Sequence, residues 1–259
     1  MYDPPAYLWA ITIAGSAAFA VATCFALYGG AVRAGLGRTR AALLAGAAAV
    51  LFGGWFTASA VIAGHGWYHA RLGHGVPWLP VAVVGFLGTL LALSQIPAVK
   101  RALTAPGMAS RLELPHTFRV FAGLAFLITM ALGHLPALLA VPAGLGDIAT
   151  GIATPRVARK VAHGTGRRAG LWLNAFGFAD LVNALTLGAL TGFQLVHVTP
   201  AATAITELPL ALIPTAAVPL LLALHIINLR TLAKAPRTAM PANAQPITGA
   251  EPRAAATVG

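Results

Sequence analysis

Long charge-free apolar runs alternate along the chain with short clusters of arginine, glycine and proline. A hydrocarbon core about 30 Å thick is crossed by about 20 apolar residues rising 1.5 Å each. Seven stretches satisfy that length: 7–29, 41–64, 79–99, 118–134, 136–153, 170–192 and 208–229. The fourth and fifth come from one stretch that is too long for a single span, divided where Gly133, His134, Leu135 and Pro136 interrupt it. The fifth is short and carries Pro142, Gly144, Gly146 and Gly151. The pattern predicts an all-α, polytopic membrane protein over residues 1–232. Residues 233–259, rich in Pro, Ala and Thr and without apolar periodicity, read as a disordered cytoplasmic tail.

Composition sharpens this picture. Of 259 residues, 58% are hydrophobic and 9% charged, against about 45–50% and about 25% in soluble domains. Such a chain lacks the polar side chains to cover itself in water, which excludes a soluble domain. The mean hydropathy of +0.79 agrees. Lysine and arginine total 17 against 6 acidic residues, a formal charge of +11. That surplus is not a nucleic-acid footprint, because fifteen of the cations fall in the segments after spans one, three, five and seven. Examples are Arg33, Lys100, Arg159 and Arg230, while the opposite side holds Arg71 alone. The asymmetry predicts an outside N-terminus and a cytoplasmic C-terminus, with anionic lipid headgroups as neighbours of the basic segments. Asp3 before span one and arginines after it are the pattern of a retained reverse anchor.

Ionisable groups in hydrocarbon cost several kcal/mol unless paired or hydrated. Candidates for a polar core are Arg119 at the mouth of span four, Asp147 in span five, Asp180 and Asn183 in span six, and His225 in span seven. Gln95, Asn174 and Asn228 are further polar positions. Asp147 falls roughly 9 Å from the cytoplasmic end of its predicted span and Asp180 roughly 16 Å from its own. Two readings fit: an ion-pair network that holds the spans together, or a proton or solute pathway, as in a transporter or proton-linked permease. The glycines around Asp147 suit either close packing or a broken helix along a cavity.

Histidines form a second constellation. His65, His69 and His74 follow span two, His134 ends span four, and the topology places them outside with His197 and Glu207. His65, His69 and His134 are candidate ligands for zinc or copper. A non-transporting protein with such a metal or redox site, or a membrane scaffold or sensor, is therefore the alternative functional class. Haem would need axial histidines at matching depth on facing spans, and His225 and His134 do not match. The sequence as a whole favours no cofactor. Cys24, the one cysteine, excludes an intramolecular disulfide. Span seven has no lysine for a retinal Schiff base. Nucleotide-binding and hydrolase motifs are missing, so an enzyme is not favoured.

Residues 119–155, RVFAGLAFLITMALGHLPALLAVPAGLGDIATGIATP, resemble the central signature of a group of uncharacterised multi-pass bacterial inner-membrane proteins. Residues 218–232, VPLLLALHIINLRTL, are similar to that group's last helix. The resemblance implies a helical architecture in the bacterial inner membrane. It marks Arg119, Pro136, Asp147 and His225 as recurring positions and implies no activity.

Overall fold

The computed structural model describes residues 3–69 and 76–234, and these are helical with no strand. Arg71, His74 and the tail from residue 235 lie outside the described residues. The helices are α1 (Ala6–Arg33), α2 (Arg38–Gly64), α3 (Trp78–Leu93), α4 (Pro97–Leu103), α5 (Met108–Glu113), α6 (Arg119–Ala131), α7 (Ala137–Ala162), α8 (Arg167–Gly192) and α9 (Val218–Lys234). Six columns among the described residues are long and apolar enough to cross a membrane. α3 with α4 makes a seventh only as a bent pair.

That bend corrects the third predicted span. α3 stops after 16 residues, about 24 Å at helical rise. The axis then turns by 90° into α4. Pro97 has no N–H to continue the ladder and pushes Ile96 out of the helical region, to φ −56°, ψ 130°. Ser94 Oγ turns back to the Leu91 carbonyl, and Gln95 donates to Ser94 Oγ at 2.9 Å. Gln95 is thus spent at an exposed corner.

The fourth span is corrected in the other direction. Its helical column starts at Met108, ten residues before the sequence places it, and reaches Ala131 through a 3-10 turn at Leu114–Phe118. Arg111 and Pro115 read as loop residues, yet Pro115 stands in the first turn of that 3-10 segment, where its missing N–H costs nothing. The chain then breaks between Ala131 and Ala137, where the long apolar stretch was divided. α7 runs on to Ala162, nine residues beyond the expected end, with Pro142 and Pro155 inside it. Because α7 is continuous, the glycines near Asp147 serve close packing and do not break the helix.

α9 is the centre of the bundle: Val218 to His225 are all buried, as befits a helix apolar on every side. α7 buries a stripe, Ala140, Ala143, Gly144, Asp147, Thr150, Gly151, Thr154 and Ala158, at helical spacing. α2 is peripheral and buries only Ala41, Phe52, Ser59 and Ala63. Its small residues Ala45, Ala49 and Gly53 face Ser16, Ala20 and Cys24 of α1 across a groove of about 660 Å³.

Helix ends rich in cations gather at one end of the bundle. The last turns of α1 meet α4, where Ala31, Ala41 and Ala102 form one buried cluster. At the same end Arg167 of α8 donates through Nε to the Leu232 carbonyl of α9 at 2.9 Å.

Candidate functional site

Three helical columns carry their charged residues to one point beside α9. Arg119 opens α6, but its column begins at Met108, so it stands near the middle of 24 residues and not at a membrane mouth. Asp147, Asp180 and His225 also lie far inside their columns, at least about 13 Å from either end. The sequence missed this depth because it started the fourth span at residue 118. Arg119 is fully buried, with Asp147 at 4% exposure and the Asp180 side chain at 8%.

Arg119 is the hub. Its Nε donates to Asp147 Oδ1 at 2.6 Å and its Nη2 to Asp180 Oδ2 at 2.5 Å. Its Nη1 donates to the Gly177 carbonyl and to His225 Nε2, both at 3.2 Å. The planar fork suits a residue that must hold two carboxylates from different helices at once. Glycine makes the convergence possible. A Cβ on Gly177 would come within 2.6 Å of the His225 ring and 2.9 Å of Arg119 Nη1, and one on Gly146 would collide with the Asp180 carboxylate. On α6, a Cβ at Gly123 would come within 2.5 Å of the Gly144 carbonyl, so α6 and α7 touch backbone to backbone.

Donor logic fixes the rest of the chain. Asn174 Nδ2 donates to the Gly170 carbonyl at 2.8 Å and to Glu113 Oε1 at 2.6 Å. Its Oδ1 therefore accepts from His225 Nδ1, at 2.9 Å. His225 is then the neutral Nδ1–H tautomer, whose Nε2 lone pair receives the Arg119 proton. The result is a continuous buried line of hydrogen bonds from Asp180 and Asp147 through Arg119, His225 and Asn174 to Glu113.

Glu113 and His116 were missed by the sequence reading. They sit in the segment taken for a loop, yet 113, 116 and 119 recur every three residues, the spacing that aligns side chains along a 3-10 turn. His116 is fully buried and stacks on His225 with ring centroids 3.8 Å apart. Glu113 and Asn228 lie beside each other at the far end of this line, and neither ring nitrogen of His116 meets a protein hydrogen-bond partner.

Asn183 does not join this network. It lies two positions past the buried Leu181, about 200° around the helix, and is exposed on α8. The histidine candidates also stay apart. His65 and His69 are exposed beyond α2, with His69 Nε2 3.3 Å from Glu207 Oε1, and His134 is exposed in the turn before α7. Among the described residues no group of three His, Cys, Asp or Glu side chains is placed to hold a metal.

An apolar cavity of about 250 Å³ reaches the hub from the other side. Its walls run from Gly192, Phe193 and Thr206, at the bundle end opposite the basic helix termini, down to Asp147. Tyr68 closes part of the rim, its hydroxyl 3.0 Å from Ser59 Oγ.

Comparison with known families matches residues 76–233, α3 to α9, to the family described as Domain of unknown function (DUF8737). The chain belongs to this family. The DUF8737 segment contains every residue of the hub and leaves α1 and α2 outside it. No curated protein and no solved structure matches the chain.

Proposed function

We propose that this DUF8737 protein is a proton-linked transporter of the bacterial inner membrane. In this reading seven spans, the bent α3–α4 pair included, place the N-terminus outside and the basic end in the cytoplasm beside anionic headgroups. The observation that carries it is a cavity from one end of the bundle that stops at Asp147, where a buried line of titratable and hydrogen-bonding groups continues toward the other end. Asp147, Arg119 and Asp180 form the switching element, and Glu113, His116 and Asn228 carry the far half.

The competing structural reading, a scaffold locked by ion pairs, finds support in how fully Arg119 is satisfied. The continuation of the line past the ion pairs, through the buried His116 ring stacked on His225 and on to Glu113, weighs against it.

Purified protein in liposomes carrying an internal pH-sensitive dye tests the proposal. Under an imposed pH gradient, with small solutes screened one at a time on the outside, the wild type is expected to couple proton movement to one of them. Asp180→Asn, folded by circular dichroism and monodisperse on gel filtration, is expected to lose the coupling. Proton movement indistinguishable from protein-free liposomes for every solute, or unchanged in the folded variant, would overturn transport.

A further inference from the structure

The hub contains two carboxylates and one guanidinium. Arg119 is the cation between Asp147 and Asp180, and His225 adds no charge because its two ring nitrogens serve as one donor and one acceptor. With both carboxylates ionised the hub carries one uncompensated negative charge at mid-bundle, which a low-dielectric interior penalises. One further positive charge balances it. A proton on either carboxyl supplies that charge, and so does a cationic ligand in the cavity.

The cavity is shaped for the second option. Among the described residues that line it, Asp147 is the one carboxylate and no lysine, arginine or histidine stands in the walls, so the cation that meets Asp147 is Arg119 of the hub, which it shares with Asp180. The walls are otherwise aliphatic, from Leu139, Leu181, Leu185 and others, with the rings of Tyr68, Phe126 and Phe193. Aromatic faces attract organic cations, and apolar walls do not replace the hydration shell of a metal ion. A volume of about 250 Å³ admits a molecule the size of a substituted benzene and excludes much larger ones.

We propose that the cavity above Asp147 binds a small apolar organic monocation, which exchanges with a proton on the Asp147–Asp180 pair. This rests on the transport reading for the exchange and on the cavity alone for the binding. Arrival of the cation restores neutrality when both carboxylates are ionised, so the bound proton leaves. Return of the proton removes the attraction, so the cation leaves. Occupancy by the two is mutually exclusive, and that exclusivity is what couples their movements.

Benzyltrimethylammonium is a suitable probe because its charge does not depend on pH, with benzenesulfonate as an anionic control of similar size. Calorimetric titration of the full chain in detergent is expected to show saturable binding of the cation, at least about tenfold tighter than any binding of the anion. The affinity should weaken about tenfold for each pH unit where the carboxyl pair is protonated. Asp147→Asn should abolish the preference for the cation. Should that variant fail to fold, Leu185→Trp, which fills the cavity without touching the hub, should abolish binding of the cation. No saturable binding by the wild type, a cation preference that survives in folded Asp147→Asn, or undiminished binding in Leu185→Trp would overturn the site. Binding without flux in the liposomes would leave the site standing and remove the transport reading. Proton coupling to another solute without cation binding would do the reverse.

Discussion

Arg119 shows how much one side chain can organise when its charge is buried. Four of its N–H directions reach four partners on α7, α8 and α9, so the helices can settle only where the fork meets both carboxylates. That geometry depends on absent side chains as much as on present ones. Gly177→Ala would force its methyl into the His225 ring and Arg119 Nη1, overpacking worth about 1–3 kcal/mol. It is expected to lower the thermal midpoint in detergent clearly, while Gly85→Ala on α3, with open space around its Cβ position, should leave the midpoint nearly unchanged. Equal midpoints for the two variants would show that the hub tolerates displacement. The sequence displayed Arg119, Asp147, Asp180 and His225 as costly residues in apolar surroundings. It could not display Glu113 and His116 in the same way, because a neighbouring arginine and proline disguised their segment as a loop.

Among the elements, the start of the last column is the most constrained. Pro219 has no N–H for the carbonyl of Thr215, four residues earlier, and the backbone there widens into a π turn over Ile213–Ala217. Trp55 of α2 takes up the released carbonyl through Nε1 at 2.8 Å while its ring stacks on Phe86 of α3 at 4.8 Å. Ser59 Oγ meets Thr215 Oγ1 at 2.5 Å and Tyr68 continues the group toward the cavity rim. A peripheral helix is thereby tied to the central one by polar contacts, since it buries few residues of its own. Trp55→Phe keeps an aromatic face toward Phe86 but removes the pyrrole half of the indole and with it the donor. It is expected to cost about 1–3 kcal/mol, the range for an unpaired buried carbonyl, read as a lower unfolding midpoint in detergent. An unchanged midpoint would mean that the Thr215 carbonyl finds another donor. Periodicity located the helix from Val218 onward, but a π turn depends on where a released carbonyl finds a donor, and that donor is about 160 residues away in sequence.

For the whole molecule, the distribution of cations makes a prediction of its own. Arginine and lysine at the ends of α1, α7 and α9 and the starts of α2 and α8 share one end of the bundle with α4. On a Cys24→Ser background, a cysteine at Thr39 is expected to react with an impermeant maleimide only after cells are opened. One at the exposed Trp67, at the other end of α2, should react in intact cells. The reverse labelling would invert the orientation. Along the same axis the cavity and the Glu113 line lie on opposite sides of the hub.

Local features of the chain were enough to show a helical protein with spans apolar enough to cross a membrane, where the long stretch divides, and which buried charges need partners. Those follow from the length of apolar runs and the cost of charge in hydrocarbon, both local properties of the chain. It took the packed bundle to place Arg119 at mid-column, to share it between Asp147 and Asp180, and to leave the described candidates His65, His69 and His134 without a common metal site. Those outcomes depend on which residues of different helices meet. Close contacts at Gly123, Gly146 and Gly177 let the helices of the hub approach, and the partners of those glycines are far away in sequence.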